Sequence, residues 1–105
     1  MTEPMKVRDL LCDEGKWCKG ANAVDANGDV VHPLSKHACR WCLLGAIIRC
    51  YGERPSCPGT PGNLPLKEIR KQLGPPTKVI PISTWNDART TNFADIRRVL
   101  ELADV

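Results

Sequence analysis

The stretch HACRWCLLGAIIRCYG, residues 37–52, decides how the rest of the chain must fold. Ser35 before it has a helix-capping side chain, and Gly52 is suited to the position just after a helix. We therefore predict a helix over about residues 36–51. Apolar residues occupy nearly its whole circumference, so we expect it at the centre of the fold, with neighbours on several sides.

Gly45 in the middle of this helix indicates a close approach by another part of the chain. Glycine costs a helix interior about 1 kcal/mol relative to alanine, so its presence suggests that something packs where a Cβ would stand. We predict that another backbone segment or a tryptophan ring, from Trp17 or Trp85, lies against Gly45.

A hairpin is predicted upstream of the helix, over about residues 20–32. Asn27 and Gly28 separate two short apolar stretches, and this dipeptide favours a tight turn because both residues tolerate positive φ. The strands are expected near 20–26 and 29–32. A first helix over about residues 5–14, ended by a glycine, precedes them.

Downstream, proline and glycine residues divide the chain into short elements. Residues 52–63 are predicted to be an irregular surface loop, followed by a short helix with Pro65 in its first turn that runs to about residue 73. A short edge strand is expected near 78–82. Thr91 or Asn92 then caps a closing helix.

The composition is typical of one soluble globular domain. The chain has 105 residues, of which 42% are hydrophobic and 26% charged, and we treat residues 1–105 as a single helix-rich α+β domain. The longest apolar run, residues 41–48, is far shorter than the ~20 residues that cross a bilayer. The N-terminus lacks the features of a secretory signal, so we expect a cytoplasmic protein without a membrane span.

Three sequence motifs resemble those of an uncharacterised family of small bacterial and phage proteins. The motifs are W-x-x-G-A-x-A-x-D-x-x-G, then A-x-x-W-C-x-x-G-A, and finally W-N-D shortly before an apolar helix. The matching residues are Trp17, Gly20, Ala21, Ala23, Asp25, Gly28, Ala38, Trp41, Cys42, Gly45, Ala46, Trp85, Asn86, Asp87 and Thr90 or Thr91. The resemblance implies a shared fold and an origin in phage or mobile genomes, and it brings no established activity.

Six cysteines in so short a chain favour metal binding, because the cytosol keeps thiols reduced. Cys39 and Cys42 form a C-x-x-C pair at the start of the predicted helix, which places both thiols on nearly one face. The predicted hairpin register brings Cys18 opposite His37, next to the same helix start. We predict a zinc site formed by Cys12, Cys18, Cys39 and Cys42, with His37 as the alternative to Cys12.

Two other interpretations of the cysteines remain open. In the first, the cysteines are small buried hydrophobic residues, an explanation that suits Cys50 and Cys57 best. In the second, Cys42 is a nucleophile whose pKa is lowered near the helix N-terminus, with His32 or His37 as its base.

The motif Trp85-Asn86-Asp87 is predicted to follow a strand, so that Asn86 and Asp87 close a turn and Trp85 adds bulk to the core. In the nucleophile interpretation, Asn86 or Asp87 would instead orient the histidine base. We favour the structural role for these three residues.

The net charge of +3 includes a cluster of basic residues on one predicted helix. Lys67, Arg70 and Lys71 share a face, which is one feature of a nucleic-acid groove. Acidic residues are interspersed and aromatic residues are few, so a solvated helix face is the favoured interpretation and nucleic acid is the weaker partner.

Together these observations predict a small non-enzymatic binding protein that occupies the surface of a protein partner. Given the phage-rich resemblance, its most concrete form is an inhibitor of a host macromolecule such as a CRISPR effector, an anti-CRISPR protein. The alternative is a cysteine-dependent hydrolase or thiol redox protein that uses Cys42. We expect residues 52–80 to carry the binding surface.

Overall fold

A computed structural model describes residues 6–55, 57–73 and 82–105. The helices of the described residues are α1 (Val7–Leu10), α2 (Leu43–Tyr51), α3 (Asn63–Leu73), α4 (Ile82–Asp87) and α5 (Phe93–Ala103), and a 3-10 turn covers Glu14–Lys16. Two short strands, β1 (Ala23–Val24) and β2 (Arg40–Trp41), form an antiparallel pair. The predicted helix-rich α+β class is confirmed.

The helix α2 lies at the centre of the fold, as predicted, but it begins at Leu43 rather than near residue 36. Cys42 is its N-cap, with an extended backbone, and Gly52 follows its last turn at φ 103°. Residues 36–42 are not helical because their backbone pairs elsewhere: the Cys39 amide donates to the Val24 carbonyl at 2.8 Å. The C-x-x-C pair therefore lies on extended chain and not on one helix face.

The predicted hairpin turn is present, but its strands are much shorter than expected. The Asp25 carboxylate accepts hydrogen bonds from the Asn27 and Asp29 amides, and Gly28 adopts φ 87°. Beyond this turn the hairpin partners meet only at an isolated bridge between Val24 and Val30. β1 takes β2 as its ladder partner instead.

The pairing of β2 also overturns the predicted position of Cys18. The Cys18 amide donates to the carbonyl of Trp41 at 3.1 Å, next to a parallel bridge between Trp17 and Trp41. Cys18 therefore lies beside Cys42 rather than opposite His37. The predicted position assumed that the antiparallel hairpin continues back to Cys18. In the structure, the segment before β1 instead pairs in parallel with the end of β2.

The observed bounds of the outer helices agree more closely with the capping and proline residues in the sequence. α3 begins two residues before Pro65 and ends at Leu73 as predicted. Asn92 caps α5 and forms a reciprocal capping box with Asp95, whose amide donates to Asn92 Oδ1 at 3.0 Å. The first helix is shorter than the predicted 5–14 and ends at Leu10.

The segment before α5 differs from the prediction. Residues 84–87, which include Trp85-Asn86-Asp87, belong to α4 and do not form a turn after a strand. The edge strand expected near 78–82 lies outside the described residues except for Ile82, which begins α4.

One cluster of buried side chains joins all these elements. α2 contacts α1, α3 and α4, and α5 contacts α1 and α3. The core residues are Val7, Leu11, Ala23, Trp41, Leu43, Ala46, Ile47, Leu66, Ile69, Ile82, Ile96, Val99, Leu100, Ala103 and Val105. The N-terminus of α2 is thereby held against the 17–24 segment, where several polar side chains meet.

Candidate functional site

Asn86 is the centre of a buried hydrogen-bond network. Its side chain is fully buried, and its Oδ1 accepts from the Trp17 indole Nε1 at 2.7 Å and from the Leu43 amide at 3.0 Å. Its Nδ2 donates to the Cys18 carbonyl at 3.1 Å and to Asp87 Oδ1 at 3.0 Å. Every hydrogen-bonding position of this carboxamide is used, which is what makes its burial tolerable.

The Asn86 carboxamide takes the place of a backbone hydrogen bond. In a regular parallel pair, the bond from the Cys18 amide to Trp41 would be followed by one from the Leu43 amide to the Cys18 carbonyl. Instead, Asn86 Oδ1 accepts from the Leu43 amide and Asn86 Nδ2 donates to the Cys18 carbonyl. We call the residues Trp17, Cys18, Cys42, Leu43, Asn86 and Asp87 the Asn86 junction.

Asp87 and its neighbours fasten the end of α4 to the same loop. Asp87 Oδ1 accepts from the Gly20 amide at 2.9 Å, and Lys19 Nζ donates to the Ala88 carbonyl at 2.7 Å. Thr91 Oγ1 donates to the Trp85 carbonyl at 2.7 Å. These contacts are structural, in agreement with the role favoured for the W-N-D motif, although its residues form a helix and not a turn.

The Cys42 thiol caps α2 and is almost completely buried. Its Sγ accepts from the Gly45 amide at 3.2 Å and donates to Asn22 Oδ1 at 3.6 Å. Burial raises the pKa of this thiol, against the smaller lowering effect of the hydrogen bonds from the first turn of the helix. The thiolate that a nucleophile requires is thus disfavoured.

The two histidines lie elsewhere. The His32 Nε2 atom is 2.7 Å from Glu53 Oε1, and its Nδ1 accepts from the Leu34 amide, which assigns the proton to Nε2. His37 is exposed and lines a cavity with Asp25 and Cys39. Among the described residues neither histidine is a hydrogen-bond partner of Cys42.

The four predicted metal ligands occupy three different places. Cys12 is exposed between α1 and α5, in a groove that Arg97 also lines. Cys39 is exposed at the His37 cavity, with its thiol directed to the His37 carbonyl at 3.4 Å. Only Cys18 and Cys42 come together. Within residues 6–55, 57–73 and 82–105, no three His, Cys, Asp or Glu side chains are grouped so as to hold a metal ion.

The Cys18 thiol is part-buried next to the Cys42 thiol. Burial, and then the neighbouring Cys42 thiol, raise its pKa to about 11, and the Asp87 carboxylate adds to the effect. The Cys50 thiol is part-buried against the core and burial raises its pKa to about 11, as suits a small hydrophobic residue. Cys57 is exposed, so the interpretation as a small buried residue does not apply to it.

An apolar groove opens between α3 and the C-terminus. Leu64 on its edge is 65% exposed, and the groove has a volume of about 400 Å³. We call it the Leu64 groove; its apolar lining consists of Tyr51, Pro61, Leu64, Pro65, Ala103 and Val105. Glu68 and Asp104 form its polar edge.

Four residues that line this groove, Pro61, Leu64, Pro65 and Glu68, lie within residues 52–80, where the binding surface is expected. The groove itself was not predicted. Three of its eight lining residues, Ala103, Asp104 and Val105, come from the C-terminal end, where the Val105 amide donates to the Leu100 carbonyl at 3.2 Å. The available signal was Leu64, an apolar residue on the polar side of an otherwise amphipathic helix. On the basic face of α3, Lys67 and Lys71 are exposed and Arg70 is half-buried. Lys71 pairs with Glu68 at 3.1 Å.

Comparisons with known proteins identify the family of this chain. Searches of curated proteins and of solved structures gave no match. In the part of the chain that the structure describes, every helix is too short or too polar to cross a membrane. The model of a family of unknown function (DUF6197) matches residues 5–104. Because this match covers nearly the whole sequence, the chain belongs to the DUF6197 family of proteins of unknown function.

Proposed function

We propose that the chain is a non-enzymatic binding protein that docks a protein partner through the Leu64 groove. The observation that carries this proposal is the 65% exposure of the Leu64 side chain at the edge of an apolar groove. Exposed leucine on a helix is ordinary by itself, but one that borders an apolar concavity is typical of a site that an apolar anchor fills.

The size and composition of the groove match a side-chain anchor. Its volume of about 400 Å³ lies at the lower end of the range for ligand sites, roughly 300–1,000 Å³. Such a space holds one or two large apolar side chains of a partner segment. Asp104 at the edge already pairs with Lys6 and Arg8, so the edge is polar without a strong net charge, as protein interfaces commonly are.

The chemistry-bearing side chains of the chain support a binding role over an enzymatic one. The Cys42 thiol caps a helix, and the hydrogen bonds of the Asn86 side chain are all made to other residues of the fold. A thiol hydrolase needs a thiolate and a base within hydrogen-bond reach. The raised pKa of Cys42 and the positions of both histidines argue against that arrangement.

A narrower form of the proposal is an inhibitor, encoded by a phage or mobile element, that blocks a host macromolecule such as a CRISPR effector. An inhibitor of this kind works by covering a surface and requires no catalytic group, which suits a small chain that carries an apolar groove. Zinc, if part of the native protein, would appear at about one equivalent per chain in elemental analysis, which tests that part of the prediction directly.

The test of the proposal is a matched pair of surface substitutions, Leu64→Lys in the groove and Val30→Lys just after the hairpin turn. Val30 is 74% exposed, so both variants should melt like the wild type. Each protein is used as bait in an extract of its native host cell, and captured proteins are quantified and then titrated directly. We expect Leu64→Lys to weaken the direct affinity at least about 30-fold, the effect of losing a central anchor worth ~2 kcal/mol.

Val30→Lys should bind like the wild type. A folded Leu64→Lys variant that retains full affinity would place the interface elsewhere. Turnover of a thioester or ester substrate that disappears in Cys42→Ser would support the enzymatic alternative instead.

A further inference from the structure

Cys18 and Cys42 occupy opposed positions on two adjacent chain segments. Trp17 and Trp41 form a parallel bridge, and the Cys18 amide bonds to the Trp41 carbonyl at 3.1 Å. Paired backbones of this kind lie about 5 Å apart. The next position along each segment is a cysteine, and the Cα separations that allow a disulfide are about 4.4–6.8 Å.

The two thiols also face the same part of the chain. The Cys18 thiol is directed to the Ala21 carbonyl and the Cys42 thiol to Asn22 Oδ1, each at 3.6 Å. Both thiols therefore face one dipeptide, Ala21-Asn22. The pairing of the two segments sets a Cα separation that a disulfide can bridge. The shared direction of the two side chains brings their sulfur atoms toward each other.

We propose that Cys18 and Cys42 form a disulfide when the protein meets a small-molecule or protein disulfide. Cys18 reacts first because it is partly exposed, whereas Cys42 is buried. The Cys18 thiol loses its proton and attacks one sulfur of the reagent, whose S–S bond breaks and releases a thiol. Cys42 then loses its proton and attacks the Cys18 sulfur, which releases the second thiol.

The exchange conserves atoms and electrons. Two protein thiols are oxidised to one disulfide, and one reagent disulfide is reduced to two thiols. Because burial holds the pKa of Cys18 at about 11, the thiolate is scarce at neutral pH and the exchange is slow there. The same property makes these sulfurs poor leaving groups, so the disulfide once formed resists reduction.

The bond would fasten the loop before β1 to the N-terminus of α2, next to the Asn86 carboxamide that already bridges them. It joins two segments 24 residues apart in the sequence, and closing a loop of that length lowers the entropy of the unfolded chain. We expect the thermal midpoint of the oxidised protein to rise by roughly 10 °C relative to the reduced form.

The experiment uses the full chain, reduced and then incubated with oxidised glutathione at about pH 8.5, where thiolate is more abundant. Incubation continues until the exposed Cys39 has formed its glutathione adduct, and remaining thiols are then alkylated. Trypsin under non-reducing conditions releases Cys18 in peptide 17–19, Cys39 in peptide 37–40 and Cys42 in peptide 41–49. Mass spectrometry therefore distinguishes the pairings.

The expected product is peptide 17–19 linked to peptide 41–49 as the main crosslink. The link should disappear in Cys18→Ser, persist in Cys39→Ser, and lose its predominance when the wild type is oxidised in concentrated guanidinium chloride. A main crosslink between peptides 37–40 and 41–49 would overturn the proposal. Recovery of Cys18 and Cys42 as free thiols or separate adducts after Cys39 has reacted would overturn it equally.

Discussion

Gly45 packs directly against the main-chain carbonyl of Asn22. A Cβ at position 45 would overlap the carbonyl oxygen and stand 2.7 Å from the carbonyl carbon. The same carbonyl accepts a hydrogen bond from the Cys42 amide at 3.2 Å, so it is fixed at the start of α2. The close approach expected at Gly45 is therefore made by backbone, and not by either of the tryptophans considered from the sequence.

Gly45→Ala should destabilise the protein, although the same change in an exposed helix interior stabilises it by about 1 kcal/mol. The new methyl group cannot be accommodated by a rotamer change, because the obstruction is backbone. We expect the free energy of unfolding, measured by urea denaturation, to fall by about 3 kcal/mol. Gly15→Ala is the control, because only the flexible Asp13 side chain lies within reach there. Equal stability of Gly45→Ala and the wild type would refute the contact.

Asn86→Ala should be among the most destabilising single substitutions in the chain. It leaves the Leu43 amide without its partner in a buried place, and the Cys18 carbonyl and the Trp17 indole without theirs in part-buried places. Unsatisfied buried groups cost about 1–3 kcal/mol each, so we expect a loss of roughly 3 kcal/mol in chemical denaturation. Asn27→Ala, at an exposed turn, should change stability by less than about 0.5 kcal/mol. A loss that small at Asn86 would contradict the network.

Substitutions of Cys42 separate its capping role from a catalytic one. Serine retains an acceptor for the Gly45 amide, so Cys42→Ser should retain the fold within about 1 kcal/mol, whereas Cys42→Ala removes the cap at a cost of about 0.5–2 kcal/mol. Both variants should capture the partner as the wild type does, once their folded fractions are equal. Loss of function in a fully folded Cys42→Ser protein would indicate that the thiol itself reacts.

Asp104 should contribute a measurable acid sensitivity. Hydrogen bonding to Lys6, followed by the charges of Lys6 and Arg8, lowers the pKa of its carboxyl below the ordinary 3.8. Its contribution to stability is therefore present above about pH 4 and is lost as the pH falls through the lowered value.

Asp104→Asn removes this charge while keeping a residue that tolerates the left-handed φ of 55° found there. We expect its thermal midpoint to lie below that of the wild type near neutral pH and to converge with it in acid. A difference that stays constant down to about pH 2 would show that the ion pairs contribute nothing.

Local signals in the sequence predicted the elements that depend on local interactions. Asn92 and Asp95 form the cap that starts α5, Gly52 follows α2, and Pro65 lies in the first turn of α3. Each of these boundaries is set by side chains within a few residues of the helix end, so a single sequence contains the necessary information.

The boundaries and contacts that were predicted incorrectly depend on residues that are far apart in the sequence. Residues 39–41 have a helical pattern, yet they are extended because β1 offers them backbone hydrogen bonds. The pairing of Trp17 with Asn86 spans 69 residues, and no periodicity indicates it. The zinc site stays a prediction, and the sequence could not show that Cys12 and Cys39 lie apart from the adjacent Cys18 and Cys42.

Hydrogen exchange at the Leu43 amide tests the Asn86 junction most directly. This amide is the first of α2 and has no helical acceptor, so it is slow to exchange only if Asn86 Oδ1 holds it, at 3.0 Å in the structure. We predict protection at Leu43 comparable to that of core amides such as Ile47 in the wild type, and its selective loss in Asn86→Ala under conditions where that variant remains folded. Rapid exchange at Leu43 in the wild-type protein would contradict the junction, and with it the register that opposes Cys18 to Cys42.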